Sequence, residues 1–359
     1  YGADHKSPEG EIIEILGHVN DPGTDILSVV RAYDIPVEYP DKVMDSLKDI
    51  PDEVDEADFV GRTDFRALPT VTIDGEDAKD LDDAITLSFG TAGTGGFAIW
   101  NDGFVSVSPY NQWVVTIFML LFGVNFGFYF LILTGKLRDA LKFEEVRIYF
   151  IIVIAAAVFI FINLRHFALY APAEGIRQAF FQVASIITTT GFASADFNLW
   201  PETSRTILVL LMFIGACAGS TGGGIKVSRF IIACKSFIKE IISYLHPRSV
   251  KKIKIEGKPL EHETLRATNV YFMTYMVIFA VSVLLVSIEN KDLVTNFAAV
   301  AATFNNIGPG LSLVGPMANF GHFTDFTKYI LMFDMLAGRL EIFPMMLLFC
   351  PAVWKRRRA

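Results

Sequence analysis

Three short stretches of this chain place hydroxyl or amide side chains next to glycine in the same order. They read Gly93-Thr94-Gly95-Gly96-Phe97-Ala98, Thr188-Thr189-Thr190-Gly191-Phe192-Ala193 and Asn305-Asn306-Ile307-Gly308-Pro309-Gly310. Glycine reaches positive φ at no steric cost, so a chain that contains it can turn backbone carbonyls toward one side. Rings of such carbonyls replace the water shell of a potassium ion in selective pores. The three stretches therefore predict an ion filter.

A single Thr/Gly-rich loop between membrane spans is more often a simple turn. Here three such loops occur in register, and short apolar segments at 174–190 and 291–304 precede two of them. If these segments are helices, their C-terminal ends bring partial negative charge close to a cation. The repetition thus favours the filter over the turn. The candidate filter residues are Thr94, Gly95, Gly96, Thr188, Thr189, Thr190, Gly191, Asn305, Asn306, Ile307 and Gly308.

A run of three glycines, Gly222, Gly223 and Gly224, lies inside a long apolar stretch. Each glycine costs a helix about 1 kcal/mol relative to alanine, so we predict that the helix breaks there. Close helix packing through small residues is the alternative for Gly215 to Ala218.

Arg339 is an ionisable residue inside the last apolar stretch. Such a residue is costly in a membrane and normally faces a wet cavity or a partner. At about 100° per residue, Asp334 and Glu341 share a helix face and Arg339 points away from both, so pairing within the helix is not expected. Arg339 is therefore expected to face a wet cavity, with an ion pair to another helix as the alternative.

Four aspartates lie close together in an earlier, acidic part of the chain. They are Asp74, Asp80, Asp82 and Asp83. Carboxylates are hard oxygen ligands that suit magnesium, and clustered aspartates can hold ions for phosphodiester hydrolysis. A solvated loop or a calcium site is the alternative, although the spacing lacks the glycine and glutamate of an EF-hand.

The composition changes abruptly near Phe89-Gly90. Residues 1–89 hold 23 acidic and 7 basic side chains, a net charge of 7 − 23 = −16, and the other 16 acidic and 24 basic ones give residues 90–359 a net charge of +8. The second part also holds the long apolar runs, so one part reads as soluble and the other as membrane-embedded. The cysteines Cys217, Cys234 and Cys350 have no paired spacing and are expected to be small apolar packing residues.

A helix needs about 20 apolar residues to cross a membrane. Five stretches approach this length: 112–134, 148–164, 205–234 (interrupted), 269–287 and 327–354. Lysine and arginine cluster after the first, third and last of them, which places those loops in the cytoplasm. The three glycine-bearing loops then enter the membrane from outside. Residues 84–92 are too few to form a supporting helix in front of the first loop.

These observations predict a mainly α fold, a polytopic membrane protein of repeated helix/pore-helix/helix units preceded by a small soluble α+β fragment. Residues 90–354 also resemble the Trk/Ktr/HKT superfamily of potassium uptake proteins. The motifs that carry the resemblance are SIITTTGFASADFNLWP (185–201), GACAGSTGGGIKVSR (215–229), NNIGPGLS (305–312) and GRLEIF (338–343).

The resemblance implies potassium transport through four loops around one path, in a multi-pass protein of the bacterial inner membrane. It assigns the second and third loops here to repeats three and four, and residues 91–99 to the end of repeat two. It makes the triple glycine an intramembrane loop that obstructs the path and Arg339 an electrostatic barrier below the filter. It also implies a homodimer with a cytoplasmic nucleotide-binding regulatory subunit, and membrane lipid is the default contact of the basic segment 235–258.

Residues 10–40 and 61–85 resemble RNase R-like exoribonucleases of the RNase II family. This resemblance covers residues 1–88, implies the end of an OB-type domain and assigns the four aspartates to magnesium. A magnesium-dependent 3′–5′ exoribonuclease is thus the alternative function. The net charge of −16 argues against RNA as a partner, since RNA binding relies on basic contacts to phosphate.

Both resemblances are partial, so we hypothesise an in-frame chimera of two truncated proteins and expect neither transport nor ribonuclease catalysis from it. The predicted segments are an OB-type end and linker (1–67), the start of a ribonuclease catalytic domain (68–89), the end of Trk repeat two (90–134), Trk repeat three (135–235), a basic cytoplasmic linker (236–268) and Trk repeat four (269–359).

Overall fold

The computed structural model describes residues 82–98, 103–246, 252–255, 258–340 and 342–349. The chain forms two units, Tyr1–Thr70 and Val71–Ala359, and all the described residues belong to the second. Residues 1–81 of the predicted soluble part, including the predicted magnesium residues Asp74 and Asp80, therefore lie outside the described part.

The described residues are mainly α-helical, as predicted. The helices are α1 (Asp82–Ala92), α2 (Pro109–Phe122), α3 (Phe126–Leu133), α4 (Leu137–Ala140), α5 (Glu144–His166), α6 (Pro172–Ile187), α7 (Glu202–Met212), α8 (Val227–Leu245), α9 (His262–Val286), α10 (Leu293–Phe304), α11 (Asp325–Arg339) and α12 (Ile342–Leu348). Single 3-10 turns lie at Phe197–Leu199, Ser287–Glu289, Ser312–Val314 and Phe320–His322. Strands β1 (Lys254–Ile255) and β2 (Lys258–Pro259) form a short antiparallel hairpin that pairs Lys254 with Pro259.

One structural unit recurs along this part of the chain. It consists of a long helix, a short helix, a glycine-bearing loop and an interrupted helix, seen in full as α5 to α8 and again as α9 to α12. Helix α5 packs on α6, α11 packs on α10, and α2 packs on both α1 and α6. Each short helix thus packs against at least one longer helix.

The first loop does have a supporting helix, so the expectation that residues 84–92 are too few was wrong. Helix α1 is 11 residues long, and the corresponding α10 has only 12. Its apolar residue Leu87 is fully buried in a cluster with Phe104, Phe181 and Phe192. A re-entrant helix crosses only part of the bilayer, and about 1.5 Å of rise per residue makes 11 residues sufficient.

Two helices are long and apolar enough to cross a membrane, α5 and the segment His262–Glu289 that contains α9. The predicted continuous span at 112–134 is instead a pair, α2 and α3, bent by 90°. Asn125 caps α3 by accepting a hydrogen bond from the Gly127 amide at 2.7 Å. Gly123 at the bend lies so close to Tyr149 that a Cβ would stand 2.5 Å from its hydroxyl oxygen. The bend is therefore fixed by a cap and by close packing.

The other two long stretches are also broken. Helix α7 ends at Met212 and α8 begins at Val227, so the predicted break at the triple glycine is confirmed but spans residues 213–226. We call this segment the glycine loop. The predicted span at 327–354 is divided between α11, which ends at Arg339, and α12, which begins at Ile342.

Helix α5 shows how the unit meets its surroundings. Its core side carries Tyr149, Val153, Ala157, Ile160 and Leu164, all buried, and its opposite side carries Ile151, Ile154, Val158, Phe159 and Ile162, all exposed. A helix that is apolar all round is typical of a membrane span. Of the cysteines, Cys217 is buried as predicted, whereas Cys234 is exposed.

Candidate ion pathway

The three predicted filter stretches adopt one backbone conformation. We call them loop A (93–98), loop B (188–193) and loop C (305–310). In each loop a non-glycine residue has a φ between 51° and 58°, and a glycine two positions later has a φ between 68° and 99°. The non-glycine residues are Thr94, Thr189 and Asn306, and the glycines are Gly96, Gly191 and Gly308. The register of the repeat is therefore visible in the dihedral angles.

An equivalent hydrogen bond joins the end of each short helix to the loop that follows it. In each case the amide of the residue before the glycine donates to a carbonyl five positions earlier, at 2.8–2.9 Å. The pairs are Gly95 with Gly90, Thr190 with Ser185, and Ile307 with Ala302. Because this bond closes the last helical turn, each loop begins at a helix C-terminus, where the helix dipole is negative.

The loops touch one another in chain order. A Cβ on Gly96 would lie 1.8 Å from the Thr190 carbonyl oxygen of loop B, and a Cβ on Gly191 would lie 1.9 Å from the Ile307 carbonyl oxygen of loop C. Gly308 repeats the conformation, but no described atom lies within 4 Å of its Cβ position. Loop A thus contacts loop B, and loop B contacts loop C, so that the three loops form an arc. No described residue continues this arc beside Gly308.

Side chains hold the loop backbones in place. The Ser185 hydroxyl donates to the Phe192 carbonyl at 2.6 Å, and the Thr188 and Thr190 hydroxyls lie 2.7 Å apart. The Tyr275 hydroxyl donates to the Asn305 amide oxygen at 3.1 Å. All of these residues are buried or nearly so. Buried, satisfied polar networks of this kind rigidify the backbone that they contact.

The glycine loop lies directly against loops B and C. The Gly223 amide donates to the Thr189 hydroxyl at 2.7 Å, and a Cβ on Gly224 would lie 3.1 Å from the Asn305 carbonyl oxygen. A Cβ on Gly222 would likewise lie 3.1 Å from the Thr188 carbonyl oxygen. Three glycines are therefore placed where side chains would press on the loop backbones, which agrees with a segment that obstructs a path below them.

Arg339 contacts the same segment. Its guanidinium Nη1 donates to the Thr221 carbonyl at 2.9 Å, and the Thr94 hydroxyl of loop A donates to that carbonyl at 2.9 Å. Among the described residues, Arg339 does not form the interhelical ion pair that was its alternative role. The filter and gate roles of these residues remain predictions, which this placement supports.

Several residues of the site escaped the sequence analysis. Glu145 is buried, and its carboxylate accepts amide hydrogen bonds from Ala218 at 2.8 Å and from Ser228 at 2.9 Å. Thr221 joins loop A to Arg339. An acidic residue in the first turn of a helix is common, so Glu145 carries no signal that separates it from an ordinary helix start.

The predicted magnesium site is not assembled in the described residues. Asp82 and Asp83 form the first turn of α1, and no group of three or more His, Cys, Asp or Glu side chains in the described ranges is placed to hold a metal ion.

Gly191 provides a test of the contact between loops B and C. We expect Gly191→Ala to lower the thermal unfolding midpoint of the detergent-solubilised protein by several degrees, because the new methyl group would overlap the Ile307 carbonyl oxygen. Gly135→Ala is the matched control: Gly135 also has a positive φ, of 75°, but has open space around it. Equal losses in the two variants would mean that the loss reflects backbone strain alone.

Comparisons with known proteins agree with this geometry. A family model described as cation transport protein, TrkH, matches residues 62–356, and a cold shock domain model matches residues 1–40. The chain is 37% identical over 284 residues to the Trk system potassium uptake protein TrkH of Escherichia coli K12 and 30% identical over 280 residues to TrkG of the same organism. Each alignment covers 77% of this chain and 57% of the relative.

The crystal structure of the potassium transporter TrkH from Vibrio parahaemolyticus superimposes with a TM-score of 0.71 at 34% identity, covering 77% of this chain and 60% of that one. The chain thus spans a little over half the length of the curated relatives it matches. The family match begins at residue 62, upstream of residue 90, where we started the transporter resemblance.

These comparisons support neither a ribonuclease fragment, nor a chimera, nor a magnesium site. They confirm the predicted location, a multi-pass protein of the bacterial inner membrane. The family match, the sequence identity and the shared fold lead to one conclusion: the chain belongs to the TrkH family of cation transport proteins.

Proposed function

We propose that this chain conducts potassium ions along a path lined by loops A, B and C, as part of a Trk-type potassium uptake protein. The observation that carries the proposal is the shared loop conformation, with the Gly96 and Gly191 positions each packed on a carbonyl oxygen of the next loop. Potassium is the ion named for the TrkH relatives from E. coli and V. parahaemolyticus.

The physical basis is the replacement of water by backbone oxygens. Potassium enters a narrow path only if carbonyl oxygens replace the water molecules that the ion loses. The three loops hold such carbonyls in buried positions, where neighbouring side chains brace them. Helices α1, α6 and α10 end at the three loops and add partial negative charge there. The open side beside Gly308 is where the fourth loop implied by the resemblance would lie.

The glycine loop and Arg339 form the proposed gate. The loop lies against Thr189 and Asn305, so a cation leaving the arc meets backbone rather than water. Arg339 adds a positive charge next to the loop and holds it through the Thr221 carbonyl. Opening then requires the glycine loop to leave loops B and C, which breaks the Gly223–Thr189 and Arg339–Thr221 hydrogen bonds.

The described residues give no support to the exoribonuclease alternative. The cold shock match covers only residues 1–40, and no described residue adds to it. The homodimer and the cytoplasmic nucleotide-binding subunit implied by the resemblance stay predictions.

One described surface supports membrane lipid as a partner. A cavity of about 320 Å³ beside α8 and β1 is lined by Lys235, Lys239, Lys252 and Lys254 together with Ile238, Ile242 and Ile253. On α8 nearby, Phe237, Ile241 and Tyr244 are exposed apolar side chains. Lysines above an apolar surface suit the phosphate and acyl chains of an anionic phospholipid, which concentrates in the cytoplasmic leaflet.

Rubidium uptake tests the proposed transport. A bacterium that lacks its own potassium uptake systems and expresses this chain should take up ⁸⁶Rb⁺ faster than a strain with empty vector, and excess K⁺ should suppress the uptake more than excess Na⁺. Gly191→Ser should abolish it, because its side chain would displace the Ile307 carbonyl. Uptake at the vector level, with the chain present in the membrane, would refute potassium transport by this chain.

Arg339→Gln tests the gate. Loss of the positive charge and of its hydrogen bond to Thr221 should raise the basal rubidium flux about tenfold, which corresponds to roughly 1.4 kcal/mol off the barrier. The preference for K⁺ over Na⁺ should stay unchanged, since the filter loops are intact. Lys328→Gln, on the same helix but paired with Asp325, is the control. A flux equal to that of Lys328→Gln would contradict a gating role for Arg339.

Lipid retention tests the lysine cavity. Native mass spectrometry of the purified protein should show phosphatidylglycerol retained in preference to phosphatidylcholine, and Lys239→Glu with Lys252→Glu should reduce the retained fraction severalfold. Lys291→Glu, a charge reversal outside the cavity, should leave it unchanged. The lipid assignment fails if the double variant keeps phosphatidylglycerol as well as the wild-type protein does.

A further inference from the structure

Glu145 connects the glycine loop to the start of α8 through a single oxygen atom. The second residue of α5, it is only 7% exposed, and its Oε1 accepts the Ala218 amide at 2.8 Å and the Ser228 amide at 2.9 Å. Ala218 is in the first half of the glycine loop, before its tip, and Ser228 is the second residue of α8, just after the loop ends. One buried carboxylate therefore holds two points that are ten residues apart in the chain.

This carboxylate supplies the N-terminal cap that α8 lacks. The N-cap residue Lys226 makes no side-chain cap hydrogen bond, although the first amides of a helix have no partner within it. Glu145 accepts the amide at the second helical position, where a capping side chain normally bonds, and it brings negative charge to the positive end of the helix dipole. Hydrogen bonds to an ionised acceptor are about twice as strong as neutral ones.

The neighbouring loop backbone is held on the same side. The Cys217 amide donates to the Gly123 carbonyl, and the Phe126 amide donates to the Gly219 carbonyl, each at 3.0 Å. The tip of the loop, Gly222 to Gly224, has different partners, which are loops B and C and Lys226. The base is thus tied to α5 and to the bend between α2 and α3, whereas the tip rests on the filter loops.

We propose that Glu145 is the positioning residue of the gate: it clamps Ala218 and Ser228, which flank the tip of the glycine loop, so that the loop opens by moving its tip about a fixed base. This inference rests on the proposed function for its transport consequences, whereas the clamp itself can be measured without transport. The charge of the carboxylate is part of the clamp, because two amide dipoles converge on one oxygen.

Glu144 offers a matched control on the same turn of α5. Its carboxylate pairs with Lys235 at 2.6 Å, in a site where both side chains are a quarter to a third exposed. It contacts α8 two turns beyond the loop and makes no bond to the loop itself among the described residues. Glu144→Gln therefore removes one charge next to Glu145 and leaves the clamp intact.

The chain carries its own reporter of the clamp. Cys217 lies beside Ala218 and is buried, whereas Cys234 on α8 is exposed. Alkylation by a small maleimide, measured by peptide mass spectrometry, gives the reactivity of Cys217 relative to Cys234 in the full-length membrane-inserted chain. Release of the loop base should raise this ratio, while a change in overall stability would be seen in the thermal unfolding midpoint.

We expect Glu145→Ala to raise the relative labelling of Cys217 about tenfold, Glu145→Gln to raise it less, and Glu144→Gln to leave it at the wild-type value. Glu145→Gln decides the question if the alanine variant does not fold, because it keeps an acceptor oxygen and loses only the charge. A Cys217 ratio in Glu145→Gln equal to that of Glu144→Gln would overturn the proposal.

Rubidium flux supplies the second readout. Glu145→Gln should change the basal flux without changing the preference for K⁺ over Na⁺, since the filter loops are untouched. If the wild-type chain shows no flux, the proposed function fails, and the labelling ratio still decides whether Glu145 clamps the loop. If labelling responds but flux does not, the clamp exists without a role in gating, and the proposal is overturned in that part.

Discussion

Backbone amides and carbonyls at membrane depth must find partners inside the protein, because hydrocarbon offers none. This constraint governs the described part of the chain. Loops A, B and C and the glycine loop are all non-helical, and each has replacement partners. Some come from the preceding helix, as in the bond from the Thr190 amide to the Ser185 carbonyl, and others from side chains such as Thr189 and Glu145. Irregular backbone is tolerated here because it is enclosed and bonded.

The same constraint separates rigid from movable parts. Loop B is braced from several directions, by Ser185, by its own threonines and by loop C. The tip of the glycine loop is held by fewer bonds, and one of them, from Gly223 to Thr189, joins it to the filter loop. If the proposed roles hold, the firmly braced loop B and the lightly held tip of the glycine loop would let the conductance change while the selectivity stays the same.

Much of this arrangement could be predicted from the sequence, and the failures have identifiable causes. The repeated glycine gave the correct register for Gly96, Gly191 and Gly308, since positive φ is a local requirement that glycine meets without steric cost. The break at the triple glycine was visible for the same reason. The bend at Gly123 was not, because it depends on packing against Tyr149 from another helix. Helix α1 was missed because residues 84–92 were judged too few, whereas the helix begins at Asp82 and needs only 11 residues. Glu145 was missed because its partners are distant backbone amides.

The position just before each filter glycine has a simple consequence for the width of the path. It is occupied by Gly95 in loop A, Thr190 in loop B and Ile307 in loop C, yet the main chain follows the same course in all three. Side chains of such different volume cannot set a common bore if they point into it. In the proposed filter the width of the narrow part is therefore set by peptide units, and the burial of Thr190 and Ile307 agrees with side chains that point away from the path.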